Sequence, residues 1–244
     1  MELISPAEYN SFISAAENVP ICRVYPLSIA EGFQSGRIYR FGNCILFRHR
    51  NNFSFFTGIP DEASLRDLHS FTVSAGLKLM CSDEAVCAFL DSLGGVELIP
   101  RDIYSYPCDS APHMPLPEGY TLSPIDRELF GRLEGRVPPS LYWRDSNEYL
   151  ENGMGVCVMH EDEPAAWAFT SAVSSTEADI GIETAELHRK RGLAAAAAAA
   201  LIREILPERR PTWTCQRSNH GSSRTAEKLG FVKSSQCMLL RKPL

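Results

Sequence analysis

The chain has 244 residues, 44% hydrophobic and 22% charged, enough to bury a sizeable core as one large domain or two small ones. Its net charge of −6 argues against a nucleic-acid partner, yet residues 181–244 hold 12 Lys and Arg against 5 Asp and Glu, so a local anionic ligand is expected there. The eight cysteines form no C-x-x-C pair and have no His cluster beside them, and neither a basic n-region nor a membrane-spanning apolar run is present, so no metal site, no membrane partner and a cytoplasmic location are expected.

In chain order, "RIYRFGNCILFRHRNNFSFFTG" (37–58) reads as a strand pair. A helix over 61–76 opens on Asp61 and Glu62, followed by a strand over 77–81, a helix over 82–95 and the strand "VELIP". Four prolines and a glycine then fall within "YPCDSAPHMPLPEGY", Tyr106 to Tyr120. X-Pro steps favour extended chain, so a linker at residues 111–118 is expected to separate a unit 1–110 from a unit 119–244. Beyond it lie a strand over 119–125, a helix capped by Asp126, a short helix over 146–153 stopped by Gly153, and a hairpin turning at His160–Pro164. An alternating strand over 177–184 leads to an alanine helix, Leu193 to Leu206, ended by Pro207. A strand over 211–217, a helix over 219–230 with Ser218 as its candidate cap, and a final strand complete the chain. This order predicts an α/β (α+β) fold with a mixed central sheet flanked by helices. Strand, helix, Leu-Gly and strand recur after Cys81 and after Cys215, which suggests two copies of one layout.

The stretch "HRKRGLAAAAAAALI" (188–202) sets cations at the front of the most helix-prone run, against the helix dipole. Read as a loop entering a helix, Arg189, Gly192 and Ala194 form R-x-x-G-x-A. Gly192 permits unusual dihedrals and a close approach of backbone to ligand. The first turn of the helix presents unpaired N–H groups suited to phosphate or pyrophosphate, and Arg189, Lys190 and Arg191 add charge. The competing reading is a plain basic cluster on the surface. A second constellation, "CQRSNHGSSRTAEKLGF" (215–231), places Asn219, Ser222 or Ser223, and Ala226 on one small helix face suited to a ligand passing alongside.

Together, "DIGIETAELHRKRGLA" and the run N-x-x-S-x-x-x-A-E-K-L-G-F from Asn219 to Phe231 resemble the GNAT superfamily of acyl-CoA-dependent N-acyltransferases. "LPEGY", "YW" and "NGMG" are further similar to a bacterial two-half branch that includes zwittermicin-resistance-type acetyltransferases. The resemblance implies a GNAT-like C-terminal domain joined to a degenerate GNAT-like N-terminal half without a phosphate loop. It implies acetyl-CoA (coenzyme A), with the amides of Arg191, Gly192, Leu193 and Ala194 on the pyrophosphate. Ile182 to Thr184 would line the pantetheine arm, one strand amide would polarise the thioester carbonyl, and Asn219 and Ser222 would lie beside the arm.

The implied activity is acetyl transfer from acetyl-CoA to a small-molecule amine. That chemistry needs a base; Glu183 is the first candidate, with Asp179 and Glu177 behind it. Many members of the family carry a Tyr on the last helix where this chain has Ala226, which leaves Ser222, Ser223, water or no group at all to assist the departing thiolate. Tyr142, Trp143 and Tyr149 read either as an acceptor pocket or as core. A CoA-binding regulatory or partner-binding module with little turnover is one alternative. An aminoacyl or peptidyl transferase is another, but the acidic first 180 residues argue against the RNA groove it would need.

Overall fold

The structure, a computed structural model, describes residues 1–243. The chain opens with a short strand, β1 (Glu2–Leu3), and two short helices, α1 (Ile13–Glu17) and α2 (Val24–Ala30). Every residue of α2 is buried, as suits a helix that is apolar almost all round. The segment 37–58 forms three strands rather than a pair: β2 (Gly36–Phe41), β3 (Cys44–His49) and β4 (Phe53–Thr57). The extra turn contains no glycine or proline. Asn52 supplies the left-handed residue instead, at φ 68°, a region that Asn tolerates better than most side chains.

Next come α3 (Glu62–Ala75), β5 (Lys78–Cys81), α4 (Glu84–Ser92) and β6 (Glu97–Ser105). Asp61 caps α3 by accepting from Ser64 N at 2.8 Å, and Gly76 ends it in the left-handed region. β6 continues well past the expected end at Pro100. No helix or strand lies between Ser105 and Tyr120. The chain resumes with β7 (Tyr120–Pro124), α5 (Arg127–Arg132), α6 (Ser146–Asn152), and the hairpin β8 (Gly155–His160) and β9 (Glu163–Val173). It closes with β10 (Glu177–Thr184), α7 (Leu193–Ile205), β11 (Arg210–Gln216), α8 (His220–Lys228) and β12 (Val232–Arg241). Asp126 caps α5 through Leu129 N at 2.9 Å. Asn219, rather than Ser218, caps α8, accepting from Ser222 N at 3.2 Å.

All twelve strands form one mixed sheet in the order β1-β2-β3-β4-β5-β12-β6-β11-β10-β9-β8-β7. Neighbours are antiparallel except for β4–β5 and β10–β11. The middle of the sheet is an exchange of strands. β12 lies between β5 and β6, and β6 lies between β12 and β11. Outward from the β12–β6 pair, each side shows the same succession of one parallel pair and then an antiparallel meander. The strand–helix–Leu-Gly–strand repeat seen in the sequence therefore brackets the exchange. α7 packs on β8, β9 and β10, where Ala197 and Ala198 are fully buried and their small side chains let the helix lie close to the sheet. α2 packs against β3, β9 and β10, so it touches strands from both sides of the exchange.

Because β5 and β6 are joined only through β12, neither half holds a continuous sheet alone. The full chain is expected to unfold in urea as one transition, coincident by circular dichroism and by the fluorescence of its three Trp, all beyond residue 140. Two separated transitions would show that the halves fold independently.

Candidate functional site

β10 and β11 pair at only three positions, Glu177–Asp179 against Arg210–Thr212. Beyond Asp179 they part, while β10 stays bonded to β9 as far as Thr184 and β11 to β6 as far as Gln216. The even-numbered residues of β10 turn their peptide groups toward β11: Thr176 O accepts from Arg210 N, whereas Ala185 N bonds Ala165 O on the β9 side. By this alternation the amides of Ile180, Ile182 and Thr184 face the gap.

The gap opens into a cavity of about 580 Å³. β10 lines it from Asp179 to Thr184, and β11 from Trp213 to Gln216. Arg189 and Ala194 line it where β10 leads into α7, and α8 presents Asn219, Gly221, Ser222 and Thr225. The remaining wall includes Tyr25 of α2, Phe53 of β4 and Arg101 of β6.

The loop into α7 owes its shape to two left-handed residues, Lys190 at φ 64° and the N-cap Gly192 at φ 79°. The amides of Gly192, Leu193, Ala194 and Ala195 find no acceptor among the described residues, whereas Ala196 N bonds Gly192 O at 3.1 Å. A Cβ at Gly192 would meet nothing within 4 Å, so the helix start is open beside that residue. Unpaired amides at a helix start are the arrangement that favours anions.

The three cations of the loop part company. Arg189 lines the cavity and bonds Thr184 O at 3.4 Å. The side chain of Lys190 is exposed outside the cavity. Arg191 turns back to donate to Tyr120 Oη at 3.1 Å, where His188 Nδ1 also lies at 2.9 Å, so its guanidinium anchors the loop to β7. Leu193 buries its side chain in the core and offers only its amide.

The three acidic candidates differ in what they hold. Glu177 makes an ion pair with Arg23 at 3.1 Å, outside the cavity. Glu183 lines the cavity, and its carboxylate accepts from Arg136 N at 3.1 Å and Val137 N at 2.6 Å. Gly135 lies beside it at φ 140°, a conformation that favours glycine, and a Cβ there would push the carboxylate aside. Asp179 is deeper and only 4% exposed. It accepts from Tyr25 Oη at 2.8 Å, Ser171 Oγ at 2.7 Å and Thr212 Oγ1 at 3.2 Å. Burial raises its carboxyl from 3.8 to about 6, while the three hydroxyls and Arg101 pull the other way.

On α8, Ser222 Oγ accepts from Trp213 Nε1 at 3.0 Å, which leaves the serine proton free to donate. Ala226 is fully buried and does not line the cavity, so the face exposed to a ligand is shorter than the sequence spacing suggests. Thr225 does line it, but its hydroxyl donates back to Gly221 O at 2.8 Å. Of the three aromatics considered for an acceptor pocket, only Tyr142 reaches the cavity. Trp143 and Tyr149 are core, and Trp143 gives its N–H to Thr170 O at 2.8 Å. Sequence reasoning missed Tyr25, Phe53 and Arg101. Arg101 and Asp102, two charges side by side in an apolar strand, were the available signal. Among the described residues no group of three or more His, Cys, Asp or Glu could hold a metal, and no helix is long and apolar enough to cross a membrane.

The raised Asp179 carboxyl sets a pH dependence. The folded state binds this proton more tightly than the unfolded chain, so the associated stability is complete at low pH and is lost as pH rises toward and through about 6. Asp179→Asn removes the effect. The stability of that variant relative to the wild type is expected to rise by roughly 3 kcal/mol between pH 3.5 and 7, read from urea midpoints, and a flat difference would contradict the assignment.

A family model described as GNAT acetyltransferase matches residues 42–239. The uncharacterized N-acetyltransferase YdfB of Bacillus subtilis (strain 168) is 27% identical over 135 residues, 54% of this chain and 52% of YdfB, so the match spans about half of each. A solved GCN5-related N-acetyltransferase-like protein from Streptococcus suis 89/1591 is similar with a TM-score of 0.76 at 22% identity, covering 98% of this chain and 100% of that one. A GCN5-related N-acetyltransferase from Kribbella flavida gives a TM-score of 0.63 at 16% identity, covering 99% of this chain and 96% of that one. At these identities the structural likeness concerns the fold. The family match takes in the parted strands, the loop into α7 and the strand exchange, and the chain belongs to the GNAT acetyltransferase family.

Proposed function

We propose that the protein is an N-acetyltransferase, working in the cytoplasm, that moves an acetyl group from acetyl-CoA to the amine of a small molecule. One observation carries this reading: β10 and β11 part beside a helix start whose amides are free. Two donor sets then border one cavity, one suited to a thioester carbonyl and one to a pyrophosphate. The residues present fit that cofactor. The amides of Arg191 to Ala194 would take the pyrophosphate, with the charges of Arg189 and Lys190 nearby. Ile182 and Thr184 would run along the pantetheine arm, with Asn219 and Ser222 across the gap. The first half offers no equivalent, because Asp61 caps α3 where α7 has Gly192.

When bound, acetyl-CoA supplies an activated acyl group and a thiolate leaving group. The chain must orient the amine and hold its proton, since an alkylamine near pKa ~10 arrives charged. Asp179, poised near neutrality at the cavity floor, suits that task, and Glu183 at the wall is the second candidate. Ser222 has a free proton to offer the departing sulfur. The second reading, a CoA-binding module with little turnover, is favoured by one feature: Ala226 brings no hydroxyl to the cavity.

Gly192→Glu places a side chain and a negative charge in front of the free amides. In a variant that keeps its circular dichroism, acetyl-CoA affinity by calorimetry is expected to fall at least about 100-fold from a wild type that binds one per chain. Unchanged affinity, or two sites per wild-type chain, would overturn the assignment.

The base is identified by the pH profile of kcat/KM. Asp179→Asn should lower turnover by roughly 10²–10⁴-fold and remove an ionisation near pH 6, with acetyl-CoA affinity retained. If Glu183→Gln alone has that effect, Glu183 is the base.

A further inference from the structure

Two cations of the cavity wall, Arg101 and Arg136, have no direct ion-pair partner among the described residues, although the charge of Arg101 acts on the Asp179 carboxyl. Arg101 is 8% exposed, its Nη2 donates to Thr214 O at 3.3 Å, and its Nε has no partner among the described residues. Asp102 does not answer it. Strand alternation sends that carboxylate to the other face of β6, where Arg217 at 3.1 Å and Lys233 at 2.8 Å hold it. The Arg101 guanidinium lies 5.2 Å from the centroid of the Phe53 ring, and Lys78 Nζ lies 5.6 Å from the same centroid. Two cations thus share one ring. The Lys78 ammonium is disfavoured first by burial and then by the charges of Arg241 and Arg101.

A second cavity of about 370 Å³ shares Arg136 and Tyr142 with the first and adds Arg50 and Lys78. None of Arg50, Lys78, Arg101 or Arg136 has an ion-pair partner among the described residues. A buried guanidinium with an unpaired N–H is unfavourable unless a ligand completes it. The cofactor's phosphates do not account for these cations, because the free amides that suit them lie at the start of α7, away from the first-half strands that carry Lys78 and Arg101.

We propose that the acceptor is a primary amine that also carries a carboxylate or phosphate, with its anionic group held by Arg101, Lys78 and Arg136 along its approach, and its nitrogen directed to Asp179. This rests on the acetyltransferase reading above. Arg101 comes from the first half and Asp179 from the second, so the strand exchange sets the spacing between anion and amine. The arriving ammonium gives one proton to Asp179. The nitrogen bonds to the acetyl carbon as the carbon–sulfur bond breaks, and the thiolate takes the nitrogen's second proton. Amide and thiol leave, and Asp179 returns its proton to water.

The test is thiol release from acetyl-CoA with matched amines: the common α-amino acids and 4-aminobutyrate against their decarboxylated partners, and phosphoethanolamine against ethanolamine. A member with the anionic group should exceed the partner that lacks it by roughly 10- to 100-fold in kcat/KM, the span of a charged hydrogen bond. Which arm responds separates carboxylate from phosphate. Arg101→Gln should bring the pair within about threefold of each other while calorimetric acetyl-CoA affinity stays unchanged. Arg136→Gln, whose side chain has no partner to lose, should narrow the gap as well and serves if Arg101→Gln folds poorly. Amines without the anionic group that match the partners carrying it, or no release with any partner carrying it, would overturn the acceptor assignment. Failure of the wild type to bind acetyl-CoA would instead remove the acetyltransferase reading beneath it.

Discussion

Two parallel strands that pair for three residues and then separate are the feature on which the rest of the site depends. A sheet satisfies its backbone by pairing, so a gap inside one leaves N–H groups that need another partner. On β10 those are the amides of Ile180, Ile182 and Thr184. The strands can part because each keeps its other neighbour: β9 holds β10, and β6 holds β11. Both walls of the gap are therefore hydrogen-bonded to further strands. It leads on one side to the free amides of α7 and on the other to the acids and cations between the halves.

The strand exchange gives that opening its second wall. β6 belongs to the first half by sequence, yet it borders β11, and so it carries Arg101 into a cavity whose acids lie on β10. α2 does the same for Tyr25, whose hydroxyl meets Asp179 at 2.8 Å. Asp179 is consequently shielded from water by one half while it is covalently part of the other. Its carboxyl rises because the exchange buries it, and it stays accessible to a ligand because the gap reaches it.

The first half repeats the geometry without the same consequence. β4 and β5 pair at only two positions and then part, leaving a cavity of about 300 Å³. Here the following helix starts at Asp61, which fills its own N-terminus with a carboxylate, and the adjacent α4 is capped by Asp83 through Ala85 N and Val86 N. A helix start capped by its own acid gives up one or two of its amide donors and repels an anion besides. One layout thus yields a helix start with free amides in one copy and an acid-capped one in the other, through the difference between Asp61 and Gly192.

Local signals were legible in the sequence. The alternation of 177–184, the alanine run, the acidic caps and the glycine of R-x-x-G-x-A each depend on residues a few positions apart, so β10, α7 and the loop between them could be read directly. The bend at Asn52 was missed because its left-handed turn needed no glycine. Ser218 and Asn219 are neighbouring polar residues that can both cap α8, and only the path of the chain chose Asn219. What the sequence could not carry was pairing across long separation. The insertion of β6 between β11 and β12 joins residues more than a hundred positions apart, and no local pattern records which strand will be a neighbour. Arg101, Phe53 and Tyr25 entered the cavity by that route, and the burial that separates Asp179 from Glu183 came with them. The sequence by itself determined most of the elements, the acidic caps and the glycine at the start of α7, because those follow from short-range geometry. The tertiary structure alone decided which acid is buried, which cations lack partners and which aromatics are core, because burial and charge depend on what other parts of the chain bring alongside.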